Sequence, residues 1–217
     1  MLDGCAIRAY LFFMRADLKD LPPLILASAS PRRQELLRQA GVVFQVLPSE
    51  ATEIHQPQLT ARELAQVNAY RKARTIAKKH PDSLVLGADT LVALETDLFA
   101  KPETLEAAYT MLQQLQGRTH EVVTGICLLH LRNHRQKVFA ESTAVTFRQL
   151  DGVAIRRYLS LVNPLDKAGG YAIQEEGDLI VEKIAGSYTN VVGLPLYETV
   201  GLLAADGFRV HVNWAAR

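Results

Sequence analysis

The sequence predicts a mixed α/β fold, and three observations predict it. Residues 24–46 read as strand, helix, strand. Residues 119–147 read as two long β-prone runs parted by a short polar segment. Helical periodicities with recognisable caps occupy the intervals between and after them. With no internal repeat and no low-complexity linker, the chain reads as a strand–helix–strand start followed by an antiparallel hairpin inserted among helices.

Each element has its own grounds. Residues 24–27 (LILA) form a short apolar run and read as a buried strand. Ser28, Ala29 and Ser30 make a tight loop. Ser30 is a good N-cap, Pro31 fits the first helical position, Leu36, Leu37 and Ala40 continue the helix, and Gly41 is placed to end it. Residues 42–46 predict a strand, and residues 48–53 a loop carrying two carboxylates. Residues 60–63 (TARE) are a capping box opening a long helix to about Lys79, with Ala65, Ala69, Ala73, Ile76 and Ala77 on its apolar side. Residues 84–94 (LVLGADTLVAL) predict a buried strand interrupted at 87–90. After a turn at 95–97, residues 98–102 lead into a helix striped by Leu105, Ala108, Leu112 and Leu115 and closed by Gly117. The hairpin follows over 119–131 and 136–147. His130 and His134 flank its turn, so they are expected to be exposed and unrelated to metal. Asp151 caps a helix to about Leu161. Residues 163–174 are a polar loop with a glycine pair, ending in a strand. Residues 179–184 read as a strand, 185–195 as a second glycine-rich loop, 196–205 as a final amphipathic helix and 208–212 as a last strand.

Composition narrows the function classes. A net charge of +1 disfavours a dedicated nucleic-acid binder. Cys5 and Cys127 form no CxxC pair, so neither a disulfide framework nor a structural zinc site is expected, and a reducing, cytoplasmic setting fits. The apolar run at 9–14 is too short to span a bilayer, and no clear signal cleavage site follows it, so no membrane partner is expected. Residues 1–23 read as a poorly anchored extension, with Met14 as an alternative start, and residues 24–217 as one domain.

Two stretches carry chemistry. The helix beginning at Pro31 places Arg32 and Arg33 in its first turn, at the end where free N–H groups and the dipole already favour an anion. Two guanidiniums there suit a ligand with several negative charges, phosphates above all, although arginines paired to nearby carboxylates fit the same pattern. Asp89 is the second centre. An aspartate within an apolar strand binds a cation, performs base chemistry or caps a local turn. Lys72 lies beside the apolar side of its helix, where it either snorkels or reaches into a cleft. Lys101 sits in a loop, which frees it to reach a ligand.

Five blocks in order resemble the Maf-like nucleotide pyrophosphatase family: SASPRR at 28–33, GADT at 87–90, KP at 101–102, DKAGGYAIQ at 166–174 and GSYTNVVGLP at 186–195. The last two look like the branch acting on dTTP and UTP. The resemblance implies a mixed sheet in two lobes around a deep cleft, similar to inosine triphosphate pyrophosphatases. It also implies hydrolysis of a nucleoside triphosphate to monophosphate and pyrophosphate, a divalent cation and a homodimer. Residue by residue, Ser28, Arg32 and Arg33 match the phosphate-contacting loop, Glu53 and Lys72 charged cleft positions, Asp89 the proton acceptor and Lys101 a second phosphate-contacting lysine. Arg32, Thr90 and Gln174 match positions tied to base choice. The chain departs from the pattern at Ala100, where glycine is frequent, and at Glu175 and Glu176, where glycine is usual.

On this reading Arg32, Arg33, Lys72 and Lys101 meet the triphosphate, and Mg²⁺ or Mn²⁺ is held by one or two carboxylates, Glu53 and Asp89 being the candidates, with waters completing its shell; Asp89 accepts the proton, holds the metal-bound water, or does both. The rival readings are a pyrophosphatase that cleans up modified or purine nucleotides, and a non-catalytic nucleotide-binding regulator. The regulator would need no buried aspartate.

Overall fold

The apolar runs pair into one seven-stranded sheet in the computed structural model, which describes residues 21–208 and Val210. The expected extension lies outside the described residues up to position 20. The candidate strand at 208–212 lies mostly outside them too, and Phe208 and Val210 themselves belong to no strand. In chain order the elements are β1 (Leu24–Leu26), α1 (Pro31–Gln39), β2 (Gln45–Val46), α2 (Ala61–Ala77), β3 (Leu84–Leu94), β4 (Asp97–Phe99), α3 (Leu105–Leu115), β5 (Thr119–His130), β6 (Arg135–Phe147), α4 (Gly152–Leu161), β7 (Val181–Ala185), α5 (Tyr188–Val192) and α6 (Leu196–Ala205).

β3 is the axis of the sheet. One of its edges pairs antiparallel with β5 from Leu84 to Ala93, and β6 and β7 extend that side, also antiparallel. On the other edge, β1 runs parallel beside Leu84, Val85 and Leu86, with β2 parallel beyond it. β4 folds back antiparallel on Val92, Ala93 and Leu94 of that same edge. Neither strand reaches the stretch between, so the edge is open at 87–91, where Asp89 and Thr90 lie.

The pleat sends alternate β3 residues to opposite faces. Val85 and Leu91 pack with Ala69, Ala73, Ile76, Leu64 and Ala65 of α2, which covers one face. Leu84, Leu86 and Ala88 face the other way, into a core with Leu36 and Leu37 of α1 and Val200 and Leu203 of α6. Further along that face, Val92 and Leu94 join Leu112 and Leu115 of α3 and Ile155 and Tyr158 of α4. Two separate cores on one face are the physical basis of the two lobes, and the cleft opens where they part.

The structure corrects several expectations. β3 is not interrupted at 87–90, because Gly87 and Asp89 stay in register with Cys127 and Gly125. The strand expected at 42–46 shortens to two residues, with Val43 87% exposed. Leu105, at the start of α3, is 53% exposed, so the buried stripe begins at Ala108. No strand ends the 163–174 loop: Gly169 and Gly170 adopt φ of 72° and 74°, which breaks the extended backbone. The second glycine-rich loop contains α5, capped by the Ser187 hydroxyl. His130 is buried rather than exposed, at 6%, as the last residue of β5. Among the described residues no helix is long and apolar enough to cross a membrane.

Candidate active site

A cavity of about 390 Å³ lies at the open edge of β3, between the two cores. Ser28, Arg32, Arg33, Glu53, Lys72, Asp89, Thr90, Lys101 and Gln174 all line it. Segments more than a hundred residues apart in sequence therefore converge on one volume.

The loop between β1 and α1 forms one wall. Ser28 Oγ accepts from Ser30 N at 3.3 Å and from Arg33 Nη1 at 2.9 Å. With both lone pairs engaged, its hydrogen is left for an anionic oxygen. Ser30 stands at the N-cap as its type predicts, but its hydroxyl makes no cap hydrogen bond. The first-turn N–H groups of α1 thus keep their affinity for an anion. Arg33 is less available than the sequence implies. Its Nε donates to Gly193 O at 2.8 Å and its Nη2 to Thr90 Oγ1 at 2.9 Å, so all three nitrogens bind protein groups. It is buried, and burial lowers its pKa against the opposing pull of Asp89. Arg33 ties the Ser28 loop, β3 and the turn after α5 together. Arg32 reaches across the cavity to Asp166, with Nη1 to Oδ2 at 3.3 Å.

The opposite wall is acidic. Asp89 is buried on the face covered by α2. Lys72 Nζ lies 2.6 Å from Asp89 Oδ1 and 2.6 Å from Glu53 Oε1. Asn68 Nδ2 donates to Asp89 Oδ2 at 3.2 Å, and Asn68 Oδ1 accepts from Ile54 N, which holds the Glu53 loop against α2. Partial burial raises the Glu53 pKa, but the hydrogen bond and charge of Lys72, with the charge of Lys101, outweigh it and leave the carboxyl below its usual range. Among the described residues no group of three or more His, Cys, Asp or Glu side chains gathers for a metal. Two converging carboxylates do suit Mg²⁺ or Mn²⁺, since such an ion takes one or two carboxylates and completes its shell with water and phosphate oxygens.

The third side comes from the 163–174 loop. Tyr158 Oη bonds both the N and the O of Ala172, which fixes this segment two residues before Gln174. Gln174 itself is exposed at the cavity wall. Thr90 Oγ1 accepts from Arg33 and pairs with Thr124 Oγ1 at 2.9 Å. Thr124 spends its own hydrogen on Asn190 O, so Thr90 is the donor in that pair and keeps one lone pair.

Residue-by-residue reading of the sequence missed Asn68, Lys167, Thr124 and Asn190. Asn68 had a signal, being one turn before Lys72 on the same helix face. Lys167 is 4% exposed, with Nζ bonded to Asn163 O, Asp166 Oδ1 and Glu175 Oε1. Glu175, one of the departures from the family pattern, is therefore the partner of a buried lysine. Nothing local predicts the Thr124–Asn190 link.

A family model described as Maf-like protein matches residues 23–205. A dTTP/UTP pyrophosphatase of Akkermansia muciniphila is 43% identical over 192 residues, covering 87% of this chain and 99% of its own. The proteins of the same description from Halalkalibacterium halodurans and Exiguobacterium sibiricum are 45% and 47% identical, covering 87% and 85% of this chain and 98% and 93% of theirs. Among solved structures, a HAM1 protein from Coxiella burnetii matches at 16% identity with a TM-score of 0.37, over 58% of this chain and 73% of that one.

Proposed function

This chain belongs to the Maf-like family, and on that premise we propose that it hydrolyses dTTP and UTP to the nucleoside monophosphate and pyrophosphate. The relatives at 43–47% identity carry that activity in their description. The observation that carries the reading is the single cavity in which a cationic helix start faces a carboxylate pair, Asp89 buried and Glu53 half-buried. A triphosphate brings about four negative charges. Ser28, Arg32, Lys101 and the first-turn amides of α1 would meet them, with Arg33 holding the frame. Glu53 and Asp89 would hold the divalent cation, which supplies charge neutralisation and orients the phosphate oxygens when bound.

In the reaction a water oxygen forms a bond to the α-phosphorus while the bond from that phosphorus to the α–β bridging oxygen breaks in line. Pyrophosphate leaves with the bridging oxygen, and the water's proton passes to Asp89. Asn68 keeps that carboxylate aimed. Gln174, Thr90 and Arg32 would read the base. A uracil or thymine edge offers two carbonyls flanking one N–H, which an amide can pair in a bidentate way. A cytoplasmic location and a homodimer belong to the same proposal, both supported by the family resemblance, and the free, buried Cys127 thiol fits a reducing compartment.

The test is incubation with a panel of nucleotides and Mg²⁺, with pyrophosphate and orthophosphate assayed separately. Pyrophosphate is expected from dTTP and UTP, and none in EDTA. Orthophosphate as the primary product, or full activity in EDTA, would overturn the proposal.

A further inference from the structure

We infer that Lys72 holds, in the metal-free protein, the place that a divalent cation takes on the Glu53–Asp89 pair, so that lysine and metal alternate there. The inference rests on the proposed reaction. Its ground is geometric: one ammonium nitrogen stands 2.6 Å from an oxygen of each acid, while Asn68 fixes the second Asp89 oxygen at 3.2 Å. Lys72 is 14% exposed and Asp89 4%, while Glu53 is 36% exposed, so the pair is dry at Asp89 and open to an entering ion on the Glu53 side. An Mg²⁺ ion sits about 2.0–2.1 Å from its oxygens, so an ion entering at the ammonium position moves each carboxylate by only about half an ångström. The ammonium cannot stay within hydrogen-bond reach of both oxygens with an ion between them.

Charge gives the exchange its direction. Lys72 brings one positive charge to two carboxylates, and a divalent cation brings two. Once released, the lysine faces the cavity it already lines, where the triphosphate supplies new partners. Metal and triphosphate then each favour the arrangement the other needs, a coupling that is reciprocal by necessity.

The experiment uses full-length protein without nucleotide. Wild type, Lys72→Met and Lys72→Gln are melted in EDTA and then in Mn²⁺, and Mn²⁺ affinity is read from the free-ion electron paramagnetic resonance signal. Both variants should melt lower than wild type in EDTA, because two carboxylates then face each other without a cation. Mn²⁺ should raise their melting temperatures more than it raises the wild type's, and should bind them at least about tenfold tighter. If Lys72→Met does not fold in EDTA, Lys72→Gln carries the comparison, because its amide can donate to one acid. Equal or weaker Mn²⁺ binding by the variants, an equal or larger Mn²⁺ shift in wild type, or failure of Mn²⁺ to restore either variant overturns the inference. Pyrophosphate release by wild type is read separately, so the proposed reaction and the role of Lys72 can fail independently.

Discussion

Replacing Gly87 by alanine should cost both stability and turnover, because this glycine lets α2 lie against the sheet. A Cβ at Gly87 would stand 2.2 Å from Ala69 O and 2.8 Å from Ala73 N, both backbone atoms of α2 that cannot rotate away. To reach ordinary contact the helix must retreat by about 1 Å. Overpacking of this kind typically costs about 1–3 kcal/mol, or roughly 2–12 °C in melting temperature for a domain of this size. The same helix carries Asn68 and Lys72, and Asp89 follows Gly87 by two residues. A retreat of about 1 Å therefore opens the contacts that aim Asp89, and misplacement on that scale can lower rate about 10²-fold. Gly125→Ala should act alike, since its Cβ would lie 2.3 Å from Ala65 O on the same helix. Gly201→Ala is the control: nothing lies within 4 Å of its added Cβ, so a helical alanine there should be neutral or stabilising. Circular dichroism melts give the stability term. Pyrophosphate release, assayed well below the variant's melting temperature, gives kcat/KM. A Gly87→Ala protein with wild-type melting and turnover would refute the packing argument, and lowered melting with unchanged kcat/KM would refute its link to the site.

Asp89→Asn keeps the shape but removes the charge and the basicity, and kcat should fall by about 10²- to 10⁴-fold with the circular dichroism spectrum intact; near-normal turnover would exclude the role as proton acceptor. Arg33→Lys cannot span Gly193 O, Ser28 Oγ and Thr90 Oγ1 together, so it should lower melting temperature as well as substrate affinity, whereas a pure phosphate contact would change affinity alone. Gln174→Ala should bring the UTP-to-CTP ratio of kcat/KM towards one, and an unchanged ratio would end the base-reading role. Stability should also fall with acid through His120, whose burial against Tyr171 pushes its pKa from 6.5 to about 4. The unfolded chain binds this proton below about 6.5 and the folded protein does not until about 4. The stabilisation is therefore complete above pH 6.5 and is lost as pH falls to about 4, by up to about 3 kcal/mol. His120→Gln should flatten the melting profile in that window, and an identical profile would assign the acid sensitivity elsewhere.

Local chemistry determined more of this protein than its short motifs suggest. The capping box at Thr60 and Glu63, the Asp151 cap and the αL turns at Gly41 and Gly117 need only neighbouring residues. They were legible for that reason, and the helices begin and end where those signals stand. The hairpin was legible too, because two long β-prone runs with a short turn leave few alternatives. Arg32, Arg33 and Asp89 could be picked out because each breaks a local rule, two arginines at a positive helix end and an aspartate in an apolar strand, whereas Glu53, Thr90 and Gln174 stood out only through the family resemblance.

Only the tertiary structure decided what those anomalies are for. Asp89 can stay in an unbroken strand because α2 supplies Lys72, 17 residues upstream, and Asn68, 21 residues upstream, to its buried carboxylate, and no short window of sequence around Asp89 contains those partners. Whether Arg33 reaches a ligand or the protein depended on Gly193, 160 residues away. His130 looked exposed because a turn adjoins it, yet register against Leu84 buries it. The open edge at 87–91 arises because β1 stops short and β4 folds back, and pairing between distant segments is set by sheet register and core packing rather than by any local preference.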